Sequence, residues 1–296
     1  MVATPRPTVR RIELGYELRQ LRERAGKTLE EVTAAGAVTG LNFAKLQALE
    51  KGTRPLRSAA DLRNLLQYYG VEDEEDVAAL LAIQREGASQ DWWHPYRSTM
   101  PSGMPRFMGI EAAARETWAF HPALVYGLLQ TEDYARHLHE DAQRVEETTS
   151  ESITRNVAVR MRRKKAIERN EDPLLLRAVL WEPALRNLVG NPDVMRAQYD
   201  ELIRLAGLPH VHLQILPILP PRFRGHLPTA NFAVLHLEEG LPTSVQVDTP
   251  WSSTSVSDKP REVGKFKRAF NGLMSSALPP EDTPEFLHQL SREITK

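Results

Sequence analysis

The chain has 296 residues, no cysteine and a formal net charge of −1, with 41% hydrophobic and 26% charged residues. That composition is globular, and the missing cysteines exclude a disulfide framework, a zinc ribbon and a thiol nucleophile. No apolar run approaches the roughly 18 residues of a membrane span, and the start, MVATPRPTVRR, has basic residues without the apolar stretch of a secretory signal, so a cytoplasmic location is expected.

The small net charge conceals an asymmetry. Residues 1–70 hold 12 Lys/Arg against 7 Asp/Glu, residues 71–150 hold 6 against 15, and residues 151–296 hold 20 against 17. A basic head beside an acidic segment is the pattern of a chain whose head meets a polyanion. The excess is modest, so a single copy would bind nucleic acid weakly and a homodimer is expected.

In chain order, residues 1–11 read as a disordered arm. From Ile12 to Ala25, the spacing of Leu14, Leu18, Leu21 and Ala25 predicts an amphipathic helix with Arg19, Arg22 and Arg24 on its other faces, stopped by Gly26. Thr28 and Glu31 form a capping box that starts a second helix near Leu29. Gly36 and Gly40 punctuate the connection to a third, in which Phe43, Leu46 and Leu49 point inward before Gly52 ends it. Ser58 caps a fourth helix, and the acidic run from Val71 opens a fifth, with its carboxylates at the positive end of the helix dipole.

Five short helices therefore make an all-α domain over residues 12–86. A Pro/Gly-rich, aromatic junction spans 87–110. Residues 111–296 interleave helical patterns with five β-type runs, EAAARETWAF, PLLLRAVLW, HVHLQILPI, NFAVLHL and TSVQVDT, which predicts a larger α+β domain with a sheet of about five strands.

The second and third helices have the arrangement of a helix-turn-helix, in which the second helix lies in the major groove. Asn42, Lys45, Gln47 and Lys51 are its candidate base contacts, since Asn and Gln suit adenine and Lys suits guanine or phosphate. Thr28, Arg24, Lys27, Arg54 and Arg57 are candidate phosphate contacts. A plain helical hairpin with solvated polar residues is the competing reading.

These residues carry a resemblance. LGYELRQLRERAGKTLEEV and AKLQALEKGTRPL resemble the N-terminal domain of Xre/Cro-type repressors. Downstream, DWWHPYR, IEAAARETWAFHPALVYGLLQTEDYARHL, VAVRMRRKKAI and NPDVMRAQYDELIRLAGLPHVHLQILPI resemble the WhiJ-like, antitoxin-like regulators of filamentous actinobacteria, with GLLQTEDYA the most diagnostic phrase. The resemblance implies a transcriptional regulator, a repressor by expectation, with a small BldB-like partner protein and no catalysis. One departure is a longer connection, AGAVTGLNFAKLQALEKG, than the tight turn of that family.

Other chemistry is weakly signalled. His137 and His139 would face different sides of a helix, and His210 and His212 lack a third ligand, so no metal site and no cofactor is expected. Ser252, Ser253 and Ser255 lack a nucleophile elbow. The basic run RMRRKK, Arg160 to Lys165, reads as the solvated face of an amphipathic helix. Trp92, Trp93 and Tyr96, with Arg222, Phe223 and Arg224 of a later loop, are candidate partner-binding residues. Two further readings compete: a module that sequesters a small toxin-like partner with little DNA reading, and a repressor responsive to a small molecule.

Overall fold

The structure is a computed structural model, and it describes residues 7–88, 91–146, 149–219, 228–249 and 253–294. The chain divides into two compact units. One takes Met1–Pro95, Met108–Ala113 and Glu239–Pro242, and the other takes Tyr96–Phe107, Ala114–Glu238 and Thr243–Lys296.

The first unit contains the five expected helices: α1 (Pro7–Arg24), α2 (Leu29–Ala34), α3 (Phe43–Glu50), α4 (Ala59–Tyr68) and α5 (Glu74–Gly87). One core unites them, built from Leu14, Leu18, Val32, Leu46, Leu49, Leu62, Leu65, Leu66, Val77 and Leu80. Helix α1 begins at Pro7, so residues 7–11 are helix and not the arm expected there. Proline suits a first helical position, because its missing N–H would have no partner in any case. Val9 is buried, the Arg11 guanidinium donates to the Gly87 carbonyl at 3.1 Å and pairs with Asp91, and Arg10 bridges Glu13 and Glu86. These bonds to distant residues hold the added turn.

The expected junction holds regular elements. A 3-10 turn covers His94–Thr99, and α6 (Met104–Ala113) follows. Helix α6 also takes the first residues of EAAARETWAF, where alanines favour helix. Strand β1 (Glu116–His121) starts only where Thr, Trp and Phe take over.

The second unit holds a six-stranded mixed sheet in the order β3-β2-β1-β4-β5-β6. Strands β1, β2 (Leu175–Trp181) and β3 (Val211–Leu216) are parallel. Strands β4 (Phe232–His236), β5 (Ser244–Asp248) and β6 (Thr254–Ser257) continue it antiparallel. The sixth strand is the addition to the expected sheet. It is four residues long and Ser-rich, and it carries no apolar alternation. It forms because β5 and the Ser102 carbonyl, which accepts from Thr254 N at 2.9 Å, supply its partners. Gly103 (φ +80°) permits that approach, for a Cβ there would lie 1.7 Å from the Thr254 carbonyl oxygen.

Helix α7 (Glu132–Glu146) and α8 (Ser150–Lys164) connect β1 to β2, while α9 (Glu182–Arg186) and α10 (Pro192–Ala206) connect β2 to β3. Helices α11 (Pro260–Ser276) and α12 (Thr283–Glu293) follow the sheet. Phe120, Val179, Phe232, Val234 and Val245 pack with Val263, Phe270 and Leu273 of α11. The alternate residues Ala119, Ala178, Leu180, Leu213, Ile215, Ala233 and Leu235 are also buried, so both faces are covered. That explains why these strands read as near-continuous apolar runs.

Two imidazoles in this unit are withdrawn from solvent, His121 buried and His139 half-buried. Burial, with Arg160 and Arg163 nearby, pushes His121 down to about 3, and burial with Arg160 nearby pushes His139 down to about 4. Both stay neutral in the folded protein while an unfolded histidine takes up its proton near pH 6.5. Acidification from pH 6.5 to about 4 therefore favours the unfolded chain, and this contribution is fully present above 6.5. Urea denaturation at a series of pH values should show the loss, and His139→Gln should flatten its slope by close to one proton. A wild-type slope of zero between pH 6.5 and 4 would contradict the burial of both rings.

Candidate nucleic-acid interface

The site is assembled from the short helices outward. Thr28 caps α2 in a complete capping box: its hydroxyl oxygen accepts from Glu31 N at 3.2 Å, and the Glu31 carboxylate accepts from Thr28 N at 2.8 Å. The hydrogen bond from the Thr28 backbone holds the Glu31 carboxyl below its usual range. The connection to α3 uses Gly36 (φ +68°) and Gly40 (φ +73°), and it is pinned by Val38, which enters the core. Asn42 then caps α3, its Oδ1 accepting from Lys45 N at 2.9 Å, and the Lys45 ammonium donates back to the Gly40 carbonyl at 2.5 Å. The longer connection is thus a built loop, closed at its α3 end by polar side chains and in the middle by an apolar one.

Helix α3 buries Leu46 and Leu49, but Phe43 is 42% exposed and does not point inward as the spacing predicted. At about 100° per residue, Phe43 lies about 60° from Leu46 and about 120° from Leu49. Leu41, just before the helix, packs against the core instead, and Asn42 is an exposed cap. The outer face is therefore Phe43, Gln47 and Lys51, with Ala44 beside them; Phe43, Ala44 and Lys51 are exposed and Gln47 is half-buried.

One ion pair fixes that face. Arg22, expected on an outer face of α1, is buried. Its Nε donates to Glu50 Oε1 at 2.6 Å, one terminal nitrogen to Glu50 Oε2 at 3.0 Å, and the other to the Lys27 carbonyl at 2.7 Å. A single guanidinium thus joins α1, the α1–α2 turn and the last residue of α3. The helices cross closely enough that a Cβ on Gly15 would lie 2.5 Å from the Leu49 carbonyl oxygen. One on Gly52 (φ +64°) would lie 2.6 Å from Ile12 Cα. The signal for Arg22 was present: it follows Leu18 by one turn and so shares its inward face.

The cations that follow α3 differ from all but the last of those on α1. Arg10, Arg11, Arg19 and Arg22 are all ion-paired. Arg24, Lys51, Arg54 and Arg57 are exposed and make no ion pair among the described residues, and the Lys27 ammonium lies 5.8 Å from the Tyr68 ring centroid. Thr53 and Arg54 are held by backbone bonds to the Ala48 carbonyl, which keeps this cationic segment against the helix.

The second unit has its own polar centre at GLLQT. Gln130 is buried; its Nε2 donates to the Val125 carbonyl at 2.7 Å and its Oε1 accepts from Arg160 at 2.6 Å. Lys164 donates to the Gln130 carbonyl at 3.0 Å and pairs with Glu201, which Arg204 also holds. Gln198 spans Leu129 and Thr131. The run RMRRKK is thus only in part a solvated face: Arg162 and Lys165 are exposed, but Arg160 and Lys164 turn inward, and Arg163 lies 5.2 Å from the Phe107 ring centroid. The histidines are likewise engaged locally, His137 Nδ1 with the Asp133 carbonyl and His210 Nε2 with the Ile167 carbonyl. Trp93 is buried and Trp92 half-buried, their rings edge-on at 5.6 Å, and Tyr96 is half-buried. Arg222, Phe223 and Arg224 lie outside the described residues.

Residues 13–80 match a family described as a helix-turn-helix domain, and residues 104–289 match a domain of unknown function, DUF5753. The second match covers more than half of the chain. The chain belongs to the DUF5753 family. Its N-terminal helix-turn-helix domain marks this member as a DNA-binding regulator. Neither curated proteins nor solved structures yield a match. Among the described residues, no helix is long and apolar enough to cross a membrane.

Removing one partner of a buried pair leaves an uncompensated charge, so Glu50→Ala should cost about 3–5 kcal/mol in urea denaturation. Replacing both partners by apolar residues, Arg22→Met with Glu50→Leu, should recover most of that stability. An unchanged midpoint for Glu50→Ala would show the pair to be screened by solvent. Gly15→Ala should cost about 1–3 kcal/mol by overpacking the α1–α3 crossing.

Proposed function

We propose that the protein is a transcriptional repressor of the WhiJ-like, antitoxin-like kind, binding operator DNA as a homodimer through α3 and binding a small BldB-like partner protein through its DUF5753 domain. The observation that carries the DNA half is the contrast in charge. Arg10, Arg11, Arg19 and Arg22 of α1 are ion-paired, while Arg24 at its end and Lys51, Arg54 and Arg57 after α3 are exposed and make no ion pair among the described residues. Unpaired cations of this kind are what phosphate contacts require.

In this reading Arg24, Lys27, Arg54, Arg57 and the Thr28 hydroxyl hold phosphates, and Gln47 and Lys51 reach base edges. Asn42 and Lys45 contribute less than their residue types promised. The Asn42 oxygen is occupied as a cap, and the Lys45 ammonium is turned back to Gly40. A dimer doubles the modest footprint and fixes the spacing of half-sites.

The partner half rests on the resemblance and on exposed apolar groups in the second unit. Leu188, Ile218 and Leu219 are exposed, and Ile218 is tied to Glu182, which accepts from Ile218 N at 2.7 Å and from Arg186. Apolar residues held on a fixed frame suit a protein partner.

A shift assay of the full chain on DNA upstream of its own gene tests the first half. Lys51→Ala with Arg54→Ala and Arg57→Ala should weaken binding and lower the salt slope by roughly 0.9 for each phosphate that is no longer neutralised. No shift at low salt, with or without the partner, would overturn it. Leu188→Asp with Leu219→Asp should abolish co-purification of the partner and leave the DNA shift intact.

A further inference from the structure

Phe43 is the one large hydrophobic side chain exposed in the first unit among the described residues, and it opens the helix that faces outward. Its surroundings leave it no core to join. Leu46 and Leu49 occupy the inward face, and the positive φ of Gly40 with the Asn42 cap sets where the helix begins. Its neighbours are partly engaged, for the Asn42 oxygen accepts from Lys45 N and the Lys45 ammonium closes on the Gly40 carbonyl. The first turn of α3 therefore presents Phe43 and the methyl group of Ala44. Along the same line one turn later come the polar side chains of Gln47 and then Lys51.

We propose that Phe43 is a specificity-determining residue that reads the 5-methyl group of thymine. The inference rests on the DNA-binding reading above. The first residues of a helix laid in the major groove meet base edges, and thymine is the base that shows an apolar group there. Phe43, Gln47 and Lys51 then form a graded outer line, from methyl contact through an amide suited to adenine to an ammonium suited to guanine or phosphate. Operator recognition consequently depends on pyrimidine methyl groups as well as on hydrogen bonds.

The test uses the full-length protein and duplexes selected by it from a random library. Each thymine is replaced in turn by uracil, which removes the methyl and keeps base pairing and the O4 acceptor. For the wild type, replacement at the contacted position of a half-site should weaken binding about fourfold, equivalent to about 0.8 kcal/mol for one methyl group. Phe43→Ala, which removes only an exposed side chain, should bind the thymine and uracil duplexes equally, and Phe43→Leu should keep part of the difference. A wild type indifferent to uracil at every position overturns the proposal, as does a Phe43→Ala protein that retains the full dependence. If the wild type selects no DNA at low salt, the DNA-binding reading itself falls and this proposal falls with it. If Phe43→Ala loses only the partner protein, Phe43 belongs to a protein contact and the proposal is overturned alone.

Discussion

The bidentate contact between Arg22 and Glu50 is the constraint on which the first unit depends. Helix α3 has eight residues and only two fully buried side chains, too short to be stable alone and too lightly packed to be oriented by apolar contact. The guanidinium supplies what packing does not: two parallel hydrogen bonds that resist rotation of α3, and a third that fixes the chain entering α2. Gly15 and Gly52 let the helices approach closely enough for those bonds to form. A buried ion pair adds little net stability over an apolar pair of similar size. Its value here is positional, because the outer face of α3 is defined only once its rotation about α1 is set.

The same logic recurs in the second unit. Gln130, Gln198, Arg160, Lys164 and Glu201 tie the turn after β1 to α8 and α10. Burial alone would push the Glu201 carboxyl up, yet bonds from Arg204 and Lys164 bring it below its usual range. It therefore remains ionised beside the Lys164 ammonium. Every member of this network has a partner, which is the condition under which buried polar groups specify a structure and do not weaken it. A domain held this way offers exposed residues such as Leu188 and Ile218 on a stiff frame.

Much of the first unit was legible. The capping box at Thr28, the glycine stops and the apolar period of α4 are signals confined to a few adjacent residues, and they set where helices begin and end. Five of the six strands were legible from β-type composition. The sixth was not, because TSVS has no pattern of its own and exists through β5 and Ser102. The start of α1 was misplaced for a similar reason, since Val9 and Arg11 are ordered by partners far along the chain. At the candidate interface, residue types named candidate donors, and which of them remain available turned on local closure: Lys45 folds back, Lys51 does not.

By itself the sequence determined the helical N-terminal domain, the mixed α+β remainder and the basic character of the head, since periodicity, capping and charge count are properties of neighbours in the chain. Tertiary structure alone decided which partner each buried charge meets and which apolar group is left outside. Arg22 meets Glu50 across 28 residues and Lys164 meets Glu201 across 37, distances at which no local spacing carries information. Phe43 was left outward because the core was already filled by Leu46, Leu49 and Val38 from three different turns of chain. Burial is a competition among all side chains for one interior, and its outcome exists only after the elements have met.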